Sequence, residues 1–284
     1  MLFKEIIGQQ AAKERLIRSV KEGRISHAQL FLGPQGCGSL ALAVAYAQFI
    51  SCSNKQEDDS CGTCSSCIKC NKLVHPDLHF VYPVALSEKV RTSSAVASQW
   101  REAFLDNPYI TLFQWFESLS AENKQAVIGT EESGEILRKL SLTTYEAEYK
   151  IMIIWQAEKM NQQSANKLLK ILEEPPDKTL FLLIVESEEQ LLRTILSRTQ
   201  LIKINRIADE ELSEALVNIH GLSADAAEKT AHLADGNYAE ALLLISENEN
   251  ASQNLASFQK LMRASIKFEP KAVMSWIDEM STAG

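Results

Sequence analysis

Five cysteines crowd the segment 52–70: Cys52, Cys61, Cys64, Cys67 and Cys70. Repeated C-x-x-C spacing in a reducing compartment favours a tetrahedral thiolate zinc site over disulfides. In a segment with little apolar content, such a site would supply the local folding energy. The competing reading is a redox-active dithiol. Five thiols stand for four coordination positions, and spacing does not choose the spare one. His75 and His79 follow closely and read as ordinary polar residues rather than ligands. Cys37 lies apart and reads as buried packing.

A second cluster is Gly33-Pro34-Gln35-Gly36-Cys37-Gly38-Ser39-Leu40. It stands between a strand-like and a helix-like stretch, the context a phosphate-binding loop requires. Gly33, Gly36 and Gly38 would let backbone N–H groups curl round a phosphate at a helix N-terminus. The lysine that should reach the outer phosphates is, however, Ser39, and the hydroxyl that should hold Mg²⁺ is Leu40. Loop geometry is kept and charge chemistry is lost; the plain alternative is a glycine turn. A nucleotide hydrolase also places an Asp-Glu pair at a strand end to hold metal and activate water. Here the strand 150–155 runs into Trp155-Gln156-Ala157-Glu158, where Glu158 reads as a solvated carboxylate at a helix start. Without an acidic pair, phosphoryl transfer has no metal holder. Ser197-Arg198-Thr199 offers an arginine that, taken alone, reads as surface charge.

The elements that would position these groups alternate strand-like and helix-like over the first two thirds, the pattern of an α/β domain with a mainly parallel sheet. A helix is expected over 9–21, with Ala12, Leu16 and Val20 four residues apart. A short strand is expected at 29–32, a buried alanine-rich helix over 40–50, a polar loop over 52–70 and a strand at 79–84. Segment 87–124 carries Trp100, Phe104, Phe113, Trp115 and Phe116 and reads as a helical insertion packed on the main domain. Further strands are expected at 150–155, 180–185 and 200–204, with a helix over 164–173 stopped by Pro175-Pro176. After Arg206 the pattern is helical: 209–219, 223–233 with Ser223 as N-cap, and 238–245. The polar stretch 246–252 reads as a boundary before a last helical segment.

The chain has 284 residues, 45% hydrophobic and 23% charged, enough for two or three domains with real cores. Seven prolines and eleven glycines exclude a fibrous or low-complexity protein. The longest strongly apolar run, 180–185, is far short of the ~20 residues of a membrane span. Met1-Leu2-Phe3-Lys4-Glu5 has no signal-peptide pattern, so the cytoplasm is the expected compartment. A net charge of −8 argues against holding a polyanion by bulk charge, since each neutralised phosphate needs a positioned Lys or Arg.

Taken together, these residues resemble the delta-prime family of bacterial DNA polymerase III clamp-loader subunits, members of the AAA+ superfamily with a degenerate nucleotide site of their own. The resemblance runs from Ile7-Gly8-Gln9 to about Ile245 and leaves 87–124 unmatched. Its most specific stretch is Ala165 to Pro176, which looks like the family's N-x-L-L-K-x-L-E-E-P-P segment, followed by Ser26 to Pro34 and the cysteine module. The resemblance implies zinc ligands Cys52, Cys61, Cys64 and Cys67, with Cys70 as the extra thiol. It implies an AAA+ P-loop-type α/β domain (1–206), a small helical lid (207–248) and the start of a helical collar (249–284), incomplete at Gly284. The family's motor subunits, gamma and tau, keep a P-loop lysine, an acidic pair and a sensor arginine, whose positions here are Ser39, Trp155-Gln156 and Ala239. The family's Ser-Arg-Cys motif appears as Ser197-Arg198-Thr199, and the resemblance gives Arg198 a role in trans on ATP held by a neighbouring gamma or tau subunit. Implied partners are gamma/tau and delta, with the sliding clamp and primed DNA reached through the complex. A gamma/tau-like ATPase and a zinc-stabilised nucleic-acid-binding module are the competing expectations.

Overall fold

The long apolar runs of the sequence become adjacent parallel strands. The computed structural model describes residues 1–246 and, beyond them, positions 258, 259, 261, 262, 266, 274 and 276. The strands are β1 (Ala28–Leu32), β2 (Leu78–Val81), β3 (Val84–Ala85), β4 (Ala126–Val127), β5 (Lys150–Trp155), β6 (Thr179–Val185) and β7 (Gln200–Lys203). The helices are α1 (Gln10–Lys21), α2 (Ser39–Ser51), α3 (Ser65–Asn71), α4 (Ala97–Asp106), α5 (Leu112–Ser118), α6 (Thr130–Ser141), α7 (Gln162–Glu173), α8 (Arg193–Leu196), α9 (Asp209–His220) and α10 (Ala224–Ala234). Residues 238–246 are also helical.

Five strands form one parallel sheet in the order β2-β5-β6-β1-β7. This is the expected α/β class, built on a parallel sheet. All of β5 and β6 is buried, as strands covered on both faces must be, and this explains their unbroken apolar sequence. Helix α2 is buried along its whole length, which explains why it lacks a polar face. On the sheet, Leu30, Met152, Ile154, Phe181 and Leu183 pack with Leu168 and Leu172 of α7 and Ile136 and Leu140 of α6. Helix α7 starts where the Asn161 side chain accepts the Ser164 N–H (2.8 Å), and the prolines at 175 and 176 end it.

Three local expectations need correction. The 52–70 segment is not all loop, because α3 forms within it once the Cys64 sulfur caps the Cys67 N–H. The expected strand at 79–84 stops at Val81; Tyr82 and Pro83 separate β2 from β3, which pairs antiparallel with β4 instead. Helix α6 and strand β4 were not anticipated. The β3–β4 pair brackets the 87–124 insertion, which contains α4 and α5 as a helical insertion should. Trp100 of α4 stacks on Tyr82 (4.1 Å between ring centroids) and meets Trp155 at the end of β5 (5.0 Å). Trp115 donates its indole N–H to the Pro83 carbonyl (2.8 Å). Aromatic burial, not hydrophobic periodicity, fixes this insertion to the sheet.

The chain forms two compact units, Met1–Ala239 and Glu240–Gly284. The segment expected as a collar, 249–284, lies outside the described residues apart from the single positions above, and so does most of the expected 246–252 boundary. Among the described residues no helix is long and apolar enough to cross a membrane.

Candidate functional site

The glycine loop sits between the C-terminal end of β1 and the start of α2, where an α/β sheet binds ligands. Gly36 (φ +71°) and Gly38 (φ +85°) adopt the left-handed conformation that the curl of the loop requires. The space the loop encloses is filled from within. A Cβ at Gly38 would lie 2.7 Å from the Tyr109 ring, and a Cβ at Gly36 would collide with the Asn237 side chain. Tyr238 donates its N–H to the Gly36 carbonyl (3.2 Å), and its ring meets Tyr109 edge-on at 4.7 Å. The Tyr109 hydroxyl accepts the Ile7 N–H (2.8 Å), and the Tyr238 hydroxyl contacts His220 Nε2 (2.8 Å). What is left is a cavity of about 30 Å³, room for a water molecule. Pockets that take drug-sized ligands measure ~300 Å³ or more. Ser39 is buried, its hydroxyl 3.1 Å from the Cys37 sulfur. Cys37 is itself buried, as expected, which pushes its thiol pKa up.

At the end of β5, Gln156 donates its side-chain amide to the Glu186 carboxylate (2.7 Å). Glu158 is not the solvated carboxylate expected from the sequence. It is largely buried; one oxygen accepts the Glu186 N–H (3.0 Å) and the other is buried without a partner. Burial raises the pKa of both Glu158 and Glu186, and the charge of Glu186 raises that of Glu158 further. The two acids therefore serve this strand end as hydrogen-bond partners of Gln156 and of backbone.

The structure brings four of the five crowded cysteines together. The sulfurs of Cys52, Cys61, Cys64 and Cys67 all lie within 4.8 Å of one another. Individual separations are 3.6 Å (Cys52–Cys61), 3.9 Å (Cys52–Cys64) and 3.9 Å (Cys61–Cys67). Four sulfurs about 2.3 Å from a tetrahedral ion would stand ~3.8 Å apart, so the set fits such an ion. The N–H groups of Cys61, Cys64 and Cys67 each point at the preceding cysteine's sulfur (3.3–3.5 Å), supporting thiolate charge. Cys70 lies outside this group, and burial pushes its thiol up to about 12, against the pull of the N-terminal ammonium. His75 and His79 are also outside it. His75 Nδ1 accepts the Asp77 N–H (3.1 Å) and Nε2 faces Glu146 (3.0 Å).

Arg198 follows α8 on a partly exposed turn. Its Nη2 pairs with Glu173 (2.6 Å), and its Nη1 donates to the Thr194 carbonyl (2.9 Å) and to Ser197 Oγ (3.3 Å). Ala239, at the expected sensor position, is buried. Three participants were not found in the sequence: Tyr109, Asn237 and Glu173. Tyr109 belongs to the insertion that no motif covers, and Asn237 adjoins Gly236, where only a turn was legible. Glu173 was legible only as part of the Glu-Glu-Pro-Pro signature.

An α/β fold with a parallel sheet, whose glycine loop between β1 and α2 is packed with the chain's own side chains, describes the class of molecule. The chain belongs to the DNA polymerase III delta subunit family, whose model matches residues 8–208. It is 29% identical over 246 residues to the DNA polymerase III subunit delta' of Bacillus subtilis, covering 87% of this chain and 61% of that protein. It is 27% identical over 197 residues to the gamma/tau subunit of Mycobacterium bovis, covering 69% of this chain and 27% of that protein. The chain thus spans about three fifths of the first relative and about a quarter of the second. Among solved structures, a DNA polymerase III gamma subunit-related protein from Thermotoga maritima is similar over 94% of this chain and 77% of its own, at 18% identity and a TM-score of 0.42.

Proposed function

We propose that the chain is a non-hydrolysing subunit of the DNA polymerase III clamp loader. It would work beside gamma/tau and delta subunits in the cytoplasm to place the sliding clamp on primed DNA, and present Arg198 to ATP held by a neighbour. The observation that carries this reading is the filled phosphate loop. Tyr109 and Asn237 occupy the space around Gly36 and Gly38, and Ser39 and Gln156 stand where a lysine and an acid would be needed.

A guanidinium is always charged and planar, and so suits the stabilisation of charge on a transferring phosphoryl group. Arginine fingers supplied by a partner are worth roughly 10³–10⁵ in rate in GTPases, an upper guide here. Loss of the chain's own ATP chemistry is therefore compatible with control of a neighbour's. Cys52, Cys61, Cys64 and Cys67 would hold zinc, whose contribution is a structural cross-link of a segment poor in apolar residues. Residues 207–248 would form the lid and 249–284 the beginning of the collar.

The test is DNA- and clamp-stimulated ATPase of a reconstituted loader, comparing wild type with Arg198→Ala, with a nucleotide titration of the pure chain alongside. A large fall in rate with the complex still assembled, and no binding or turnover by the pure chain, is the expected result. An unchanged rate would reduce the chain to a scaffold. Stoichiometric, metal-dependent hydrolysis by the pure chain would favour a gamma/tau-like ATPase.

A further inference from the structure

Arg198 reaches its place through a residue on another element. Glu173 closes α7, two positions before the proline pair, and its carboxylate meets the Arg198 guanidinium at 2.6 Å. The other terminal nitrogen is held by the Thr194 carbonyl and Ser197 Oγ, both on the arginine's own turn. Local bonds alone leave a long side chain able to pivot about that turn. The ion pair to α7 adds a restraint from a second element fixed in the core, because Leu168 and Leu172 of that helix pack there, as Ile195 of the arginine's own turn does. A carboxylate on the last residue of a helix is also misplaced with respect to the helix dipole, which favours cations there. The guanidinium beside it offsets that. Arg198 still has a third of its side-chain surface open, so its charge remains available to a second subunit.

We infer that Glu173 is a positioning residue for Arg198, ordering the guanidinium before the neighbouring subunit docks. This rests on the reading of Arg198 as a group acting in trans. Ordering a flexible side chain in advance removes an entropic cost from the step at which it meets the phosphates, and so acts on kcat rather than on nucleotide affinity.

The experiment uses the reconstituted loader and its DNA- and clamp-stimulated ATPase, with Glu173→Ala, Glu173→Asp, Arg198→Ala and the Glu173→Ala/Arg198→Ala pair. Assembly and melting temperature are checked for each variant. Glu173→Ala is expected to lower kcat about tenfold with KM for ATP within about twofold of wild type. Glu173→Asp should recover part of the loss, and the double variant should match Arg198→Ala alone. If Arg198→Ala falls but Glu173→Ala equals or exceeds wild type, positioning by Glu173 is wrong and the trans role of Arg198 stands. A further fall in the double variant also overturns the inference, since Glu173 would then act by another route. No fall with Arg198→Ala removes the trans role itself, and this inference with it.

Discussion

The ring of Tyr109 lies against Gly38, so close that a Cβ on the glycine would come within 2.7 Å of it. The two residues belong to different parts of the molecule: Gly38 immediately precedes α2 as its N-cap, and Tyr109 sits between α4 and α5 in the aromatic insertion. The insertion thus reaches the glycine loop and helps close it. The hydrogen bond from Ile7 N–H to the Tyr109 hydroxyl fixes the ring from the other side.

Replacing Tyr109 by alanine removes a ring that is only 8% exposed, together with the acceptor of the Ile7 N–H. Large-to-small aromatic changes in a core cost about 3–5 kcal/mol. Urea unfolding should show a loss of that order. No ATPase should appear in the purified variant, because opening the space restores neither a lysine at position 39 nor an acid at position 156. Turnover in this variant would mean that the plug alone silences the site.

The four-sulfur geometry leads to a metal prediction. Purified chain should carry one zinc, Cys64→Ser should lose it, and Cys70→Ser should keep it, as measured by elemental analysis. Zinc binding in small structural sites is worth ~10–16 kcal/mol near neutral pH, so chelation should unfold the segment around α3. Hydrogen exchange over residues 52–71 would report this. Metal retained by Cys64→Ser but lost from Cys70→Ser would reassign the ligand set.

The parts of the fold that were legible in the sequence are those whose cause is local. Unbroken apolar runs identify β5 and β6 as central strands, the featureless apolar α2 identifies a buried helix, and Ser223 marks the start of α10 by accepting the Ala226 N–H. Where tertiary partners decide, local pattern fails. The Cys64 sulfur starts α3, Pro83 parts β2 from β3, and the buried Glu158 takes its environment from Glu186, 28 residues away. The site shows the same division. The absence of a lysine and a hydroxyl at positions 39 and 40 is visible in the sequence as Ser39 and Leu40, whereas the loop's closure by Tyr109 and Asn237 depends on residues brought together only by folding.

Asp77 gives a stability prediction. Its carboxylate accepts three consecutive backbone N–H groups, from Tyr145 (2.7 Å), Glu146 (2.9 Å) and Ala147 (2.9 Å), on the approach to β5. Burial opposes its charge, but these bonds outweigh burial and hold its pKa below the usual carboxylate value. Asp77→Ala strands those donors at ~1–3 kcal/mol each where they are buried, and should destabilise the domain by about 3 kcal/mol or more. Asp77→Asn keeps one acceptor oxygen and should fall between. Equal stability of all three proteins in urea would show that the N–H groups find other partners.

His79 makes acid sensitivity testable. It lies on β2, paired with Met152 in the sheet, and its pKa is pushed down to about 4, by burial first and then by the charges of Lys139 and Lys150. Its unfolded value is about 6.5, so between about pH 6.5 and pH 4 the unfolded chain binds more protons than the native one. Stability associated with neutral His79 is therefore complete above about pH 6.5 and is lost as pH falls through that window. Glu132, Glu158 and Glu186, whose pKa values burial raises, act with the opposite sign: above about pH 4.5 the native state holds their protons longer, so lowering the pH favours folding there. A wild-type profile mixes the two, and the variant His79→Gln separates them. Between pH 7.5 and pH 5 the wild type should lose more stability than His79→Gln, by on the order of 1 kcal/mol after allowance for partial exposure of the ring. Parallel profiles for the two proteins in urea would show that His79 is protonated in the native state as readily as in the unfolded one.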